Sequence, residues 1–202
     1  MTISSEPDLA GMQRVGNLVA RTIAHMRAPI QPRMTTAELD AIGERFARAE
    51  GARSAPQLAY NVPGFNCLRV NEEIVHGIPS PKRVLKEGSI ISIDCGVFLE
   101  GLHADSATTV AVGAIAPEAR RLLDVTERCL EAGLAAAVVG NHVGDIGHAV
   151  QTVAEGAGFG VVRELVGHGI GSRFHEDPQV PNFGSPKRGP RLQAGMTLAI
   201  EP

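Results

Sequence analysis

An α+β fold is what this sequence predicts, and three observations predict it. Apolar residues recur at helical spacing in four separate segments. Stretches rich in valine, isoleucine and threonine occupy the intervals. The order is helix-helix, strands, helix-helix, strands, which reads as a duplicated α+β half whose second copy is unfinished, with its last strands missing.

The elements follow in chain order. Residues 7–27 carry Leu9, Met12, Val15, Leu18, Val19, Thr22 and Met26 at helical spacing, and Pro29 and Pro32 stop that segment. Thr35 followed by Glu38 is a capping-box pattern. It opens a helix through Leu39, Ile42, Phe46 and Ala49 that Gly51 closes. Segments 67–70, 73–78 and 89–99 are β-rich, divided by Asn71, by Pro79 to Pro81 and by Lys86, Glu87 and Gly88. Residues 102–112 read as a further strand after a Glu100-Gly101 turn, so 89–112 is expected as an antiparallel hairpin. Pro117 stands near the start of a helix that runs through Val138 and closes near Gly140. A fourth helix spans 144–155, ended by the glycines from Gly156 to Gly160. Residues 161–171 are strand-like, 174–190 read as a loop, and 196–202 open a last strand.

Composition narrows the function classes. The chain has 202 residues, 44% of them apolar, enough for a sizeable core and against disorder. A net charge of -3 with mixed signs gives no electrostatic case for nucleic acid or a polyanionic surface. Trp is absent and Tyr occurs once, so there is no platform for stacking bases. Three cysteines without tight spacing, Cys67, Cys95 and Cys129, read as reduced thiols, which fits a cytoplasmic setting. No signal peptide and no membrane-length apolar run are expected.

The chemistry-bearing residues are Asp94, Asp105, His168, His175 and Glu201, a widely spaced series that only folding can gather. Asp94 alternates with Ile91, Ile93 and Cys95, so it points to the other face of its strand. A carboxylate in such a run is costly unless paired or metal-bound. Asp105 lies on the partner strand, and the predicted turn brings the two acids towards each other. A shared cation removes their repulsion, about 4 kcal/mol for carboxylates ~4 Å apart at an effective dielectric of ~20. Glu201 repeats the situation of Asp94, and His168 is flanked by glycines that allow close backbone approach. Taken singly, each has an ordinary structural reading: Asp94 as a strand-end acceptor, His168 as a turn histidine, His175 as an exposed loop residue, His76 as a strand-end histidine. As a set, oxygen donors with one imidazole favour Mn, Fe, Co or Mg over a thiolate zinc site. Dinucleotide, P-loop, serine-hydrolase and HExxH motifs are absent from the sequence.

The segments GARSAP, FNCLRVNEEIVHGIPS, SIDCGVFLEGLHADSATTVAVG, GHGIGSRFHEDPQVPNFG and GMTLAIEP together resemble type I methionine aminopeptidase, in order and spacing, from Pro7 to Pro202. The resemblance implies a pita-bread fold with a central antiparallel sheet, in a single catalytic domain: a helical part over 7–51, a first half over 52–125 and an incomplete second half over 126–202. It implies hydrolytic removal of the initiator methionine from nascent polypeptides whose second residue is small, with the ribosome as a further candidate contact and no DNA or membrane partner. It implies two divalent ions (Co, Mn, Fe, Ni or Zn). Asp94, Asp105, His168 and Glu201 would be their ligands. His76 would assist the leaving amine, His175 would stabilise the carbonyl oxygen, and Glu201 would also pass a proton. Cys67, Phe174 and Tyr60 would wall the methionine pocket.

Two departures from the family pattern set further expectations. Leu68-Arg69 replaces a pairing that usually includes a serine. Family members also continue past AIEP and supply a second bridging glutamate, so this chain is read as C-terminally truncated. Three carboxylates against two dications then leave one positive charge uncompensated. The chain is expected to hold one metal well or two weakly, with doubtful activity. The alternatives are a catalytically impaired binding protein of the same fold, or an Xaa-Pro peptidase. Hydrolysis of Met-Gly-Met against an Xaa-Pro peptide discriminates the two peptidases.

Overall fold

The computed structural model describes residues 2–202. They form two compact units, Glu6–Pro117 and Glu118–Pro202, the second joined by the N-terminal residues up to Ser5.

In the first unit, α1 (Glu6–Arg27) and α2 (Thr36–Ala49) bury the faces that the periodicity selects: Val15, Leu18, Val19 and Met26 from α1, Leu39 and Ala47 from α2. The capping box is present, with the Glu38 amide donating to Thr35 Oγ1 at 3.1 Å and the Thr35 amide donating to Glu38 Oε2 at 2.7 Å. The sheet is built on β3 (Ile90–Leu99). Along one edge β3 pairs with all of β4 (Leu102–Ala111), antiparallel. Its other edge takes β2 (Cys67–Val70) beside its first half and β1 (Arg53–Ser54) beside its second. The predicted hairpin turn is where it was expected: Leu99 pairs Leu102, and Glu100 and Gly101 take φ of 50° and 90°. Two successive positive-φ residues match the twist of the flanking strands.

Strand β3 alternates in burial from Ile90 to Cys95. Ile91, Ile93, Cys95 and Val97 are fully buried against α1 and its neighbours, whereas Ser92 and Asp94 are half-buried on the opposite face. A one-residue slip would move that whole apolar set out of the core. Each such side chain contributes about 1.5–3 kcal/mol by its burial, so the register is strongly held.

In the second unit, α4 (Pro117–Ala136) and α5 (Val143–Gly156) bury Val125, Cys129, Val150 and Ala154 in one cluster. A three-stranded antiparallel sheet has the order β6-β5-β7, from β5 (Val166–Gly169), β6 (Glu176–Pro181) and β7 (Leu198–Ala199). The N-terminal segment joins this unit, the Ile3 amide donating to the Gly195 carbonyl at 2.7 Å.

Four local expectations are corrected. Residues 73–78 form a loop, because Asn71 and His76 adopt positive φ (58° and 56°) and Glu73 turns back on Val70. The stretch expected as strand over 161–171 pairs only over 166–169. The stretch read as loop contains β6, whose Pro178 and Pro181 argue against a strand in sequence. Pro178 falls in the register shift between the His168–Gln179 and Gly169–Glu176 pairs, and Pro181 is the last residue of the strand, so neither interrupts a regular run of the ladder. β1 and the short α3 (Ala55–Tyr60) were not foreseen, although Ser54 accepting from the Gln57 amide at 3.2 Å is a helix cap visible in the sequence. All three cysteines are free thiols. Among the described residues no helix is long and apolar enough to cross a membrane.

Asp40, buried on α2, aims the chain into β2. Its Oδ1 accepts from the Asn66 amide and from Asn66 Nδ2, both at 2.8 Å, and its Oδ2 accepts from the Phe65 amide at 3.1 Å. Burial pushes its carboxyl above the ordinary range, while the Asn66 and Phe65 donors pull it down. A folded-state pKa raised above the unfolded value means that its stability contribution is present at low pH and declines as pH rises through the folded value. Asp40→Ala strands the three donors and should cost about 2 kcal/mol in urea unfolding at pH 7. Asp40→Asn should flatten the pH dependence; a variant of unchanged midpoint and slope would mean that the carboxylate does not hold this corner.

Candidate metal centre

In the first unit the hairpin decides where the acids stand. Gly96 pairs Asp105 and Asp94 pairs Ala107, so the two aspartates share a face and sit diagonally, two positions apart across the ladder. The register makes them a diagonal rather than a directly opposed pair. Such neighbours lie about 7–8 Å apart at Cα, within reach of one shared ion for two short carboxylate side chains. Both are half-buried. Cys67 faces Asp94 from β2 on the other edge. Its thiol is pushed up to about 11, first by burial and then by the Asp94 charge, with Arg69 pulling it down. A neutral thiol suits the wall of an apolar pocket. Arg69, two residues on, puts Nη2 3.6 Å from Asp94 Oδ2. His76 is exposed on the 71–78 loop, which is tied to β2 by the Leu68 amide donating to the Gly77 carbonyl at 2.8 Å. Its φ of 56° is one that non-glycine residues seldom adopt. Tyr60 ends α3 and is largely exposed.

In the second unit β5 positions His168. A bulge separates His168 from Gly169, and β6 and β7 flank the strand on either edge. At Gly167 an added Cβ would stand 2.2 Å from the Ala199 carbonyl, so β7 can approach only a glycine here. His168 is buried and its Nδ1 lies 2.7 Å from the Gly169 carbonyl. A carbonyl only accepts, so Nδ1 carries the proton and Nε2 presents its lone pair. That nitrogen lies 3.3 Å from Glu201 Oε1. A carboxylate oxygen facing that nitrogen is satisfied either by a second ring proton or by a cation shared between the two side chains. Committing the other ring nitrogen to a carbonyl is the arrangement metal-bound histidines use. Glu201 is steadied through its backbone, its carbonyl accepting from Asn182 Nδ2 at 2.6 Å. The His175 ring packs 4.0 Å from the His168 ring and 4.6 Å from that of buried Phe174, centroid to centroid. His168, Phe174, His175 and Glu201 are therefore brought together within one unit. Arg69 and Asn182 are contributors that the site reading from sequence missed. Neither lies in a metal-ligand pattern, and only the unusual Leu68-Arg69 pairing hinted at the first.

The donor set fits divalent ions: same-face carboxylates in one unit, a carboxylate beside an oriented imidazole in the other. Within either unit, among the described residues, no three His, Cys, Asp or Glu side chains close into a metal cage.

Comparison with known proteins adds a family. The pattern described as metallopeptidase family M24 matches residues 10–202. The methionine aminopeptidase 1 of Bacillus subtilis is 48% identical over 203 residues, spanning 100% of this chain and 82% of that protein. The crystal structure of a methionine aminopeptidase from Thermotoga maritima superposes with a TM-score of 0.94 at 36% identity, covering 99% of this chain and 81% of that one. A prolidase from Pyrococcus furiosus, at 17% identity and a TM-score of 0.84 over 98% of this chain and 56% of that one, shares the fold alone. The fold is the pita-bread fold of these structures.

The His168 geometry is open to measurement. Long-range 15N correlation spectra of the metal-free chain at alkaline pH should show the Nδ1–H tautomer, and Zn2+ should shift Nε2 selectively. An Nε2–H tautomer would remove His168 from the ligand set.

Proposed function

The chain belongs to metallopeptidase family M24, and we propose that it is a metal-dependent aminopeptidase that releases the initiator methionine from nascent polypeptides whose second residue is small. The observation that carries this reading is the His168 ring, its Nδ1 engaged by a carbonyl and its Nε2 turned to Glu201 at 3.3 Å. Asp94 and Asp105 supply one pair of ligands, His168 and Glu201 the other. When bound, divalent ions polarise the peptide carbonyl and make water a better nucleophile near neutral pH.

The remaining work falls to side chains. His175, held against His168 and Phe174, donates to the carbonyl oxygen as charge gathers there. His76, carried on a loop tied to β2, meets the leaving amine. Glu201 passes a proton towards that nitrogen. Cys67, with its neutral thiol, and buried Phe174 are the side chains we assign to methionine recognition, since sulfur and ring each suit a thioether. The metals are drawn from Co, Mn, Fe, Ni and Zn. The free thiols support a reducing cytoplasmic setting, where nascent chains at the ribosome are the substrate.

Met-Gly-Met should be cleaved with Mn2+ or Co2+ present, and an Xaa-Pro peptide should not. EDTA should abolish release and added metal should restore it. Asp105→Ala should lower kcat/KM by at least about a hundredfold, as expected for a lost metal ligand. No metal-restorable release, or an Asp105→Ala enzyme of undiminished rate, would defeat the assignment.

A further inference from the structure

We propose that Arg69 is a resident counter-cation for Asp94, a positioning residue that steadies the metal-free hairpin and weakens the binding of divalent ions there. The inference rests on Asp94 being a metal ligand, as proposed above.

The geometry is specific. β2 and β3 pair so that Arg69 stands opposite Ser92 and Cys67 opposite Asp94, which puts Arg69 diagonally beside Asp94 on the same face. The guanidinium is held from two sides, with Nη2 3.6 Å from Asp94 Oδ2 and Nη1 donating to the Ile74 carbonyl at 2.6 Å. The nearer acid in sequence, Glu73, is already occupied: it pairs with Arg83 and accepts from the Val70 amide at 2.9 Å. Arg69 is only 17% exposed, so little water screens its charge from Asp94. Its Nε is buried without a hydrogen-bond partner, a cost that a merely solvated arginine would avoid by turning outward. The side chain therefore stays for what Nη1 and Nη2 touch.

The consequence for metal follows from charge. Without metal, the guanidinium offsets a carboxylate that would otherwise stand half-buried beside a second one. When a dication takes Asp94, the fixed positive charge repels it. Arginine cannot relieve this by losing its proton. Moving aside means giving up the Ile74 carbonyl, which belongs to the loop that carries His76. Metal occupancy at Asp94 is thereby coupled to the placement of that loop.

The test uses the full chain and Mn2+ alone, followed by calorimetry and by the electron paramagnetic resonance of free Mn2+. Arg69→Gln should bind Mn2+ about tenfold more tightly, a difference of about 1.4 kcal/mol. Its metal-free form should melt lower than the parent, and Mn2+ should raise its Tm by more. Arg69→Lys, which keeps the charge, should retain parental affinity. In an Asp94→Asn background, Arg69→Gln should bring no gain. A folded Arg69→Gln chain with equal or weaker Mn2+ affinity would overturn the proposal alone, as would a lysine variant that behaves like the glutamine one. Failure of parent and variant alike to bind Mn2+ would overturn the metallopeptidase reading, and this inference with it.

Discussion

The register of the β3–β4 hairpin is the constraint on which the placement of Asp94 and Asp105 in the first unit depends. Ile91, Ile93, Cys95 and Val97 must all face the core, so Asp94 must face away from it. The two-residue turn at Glu100 and Gly101 then leaves no slack: Gly96 meets Asp105, and Asp105 joins Asp94 on one face. The acids are not placed by any attraction between them, since they repel. They are placed by hydrophobic burial on the opposite side of the sheet, acting through backbone pairing. Functional geometry here is a by-product of core packing, and a packing change at Ile93 or Val97 would reach the acids before it reached any ligand.

The same logic explains how much could be read in advance. The hairpin, its turn and the facing of Asp94 were legible because alternation and a turn dipeptide are local signals. The capping box at Thr35 and Glu38 was legible for the same reason. The strand holding Glu176 to Pro181 was not, because its prolines contradict strand propensity and are accommodated only by a register shift at Pro178 and by the strand's end at Pro181. The loop at 73–78 carries a strand-like signal because Ile74 and Val75 have strand propensity, while the positive φ of His76 is a tertiary outcome. Of the candidate site, residue identities could be read, but not their engagement. That His168 spends Nδ1 on its neighbour's carbonyl, or that Asn182 fixes the Glu201 backbone, depends on a bulge and on strand pairing that no pattern announces.

Charge compensation links the two halves as a common physical problem. A half-buried carboxylate needs a positive partner or a proton. Half-buried Asp94 finds a guanidinium, whereas the more exposed Glu201 lies against the imidazole edge of His168. The solutions are not equivalent. Imidazole near neutral pH can present a lone pair and so can share a dication with the acid beside it. Guanidinium has no lone pair to offer and can only oppose one. A site whose carboxylates are matched by protein cations is stable when empty and correspondingly less avid. One whose carboxylates are left to a metal is unstable when empty and tightly held when filled. On the proposed ligand assignment, the His168–Glu201 pair is of the avid kind, and Arg69 moves Asp94 towards the tolerant one. Under that proposal, unequal affinity at the two ligand pairs follows from the polypeptide itself, through one side chain that coordinates nothing.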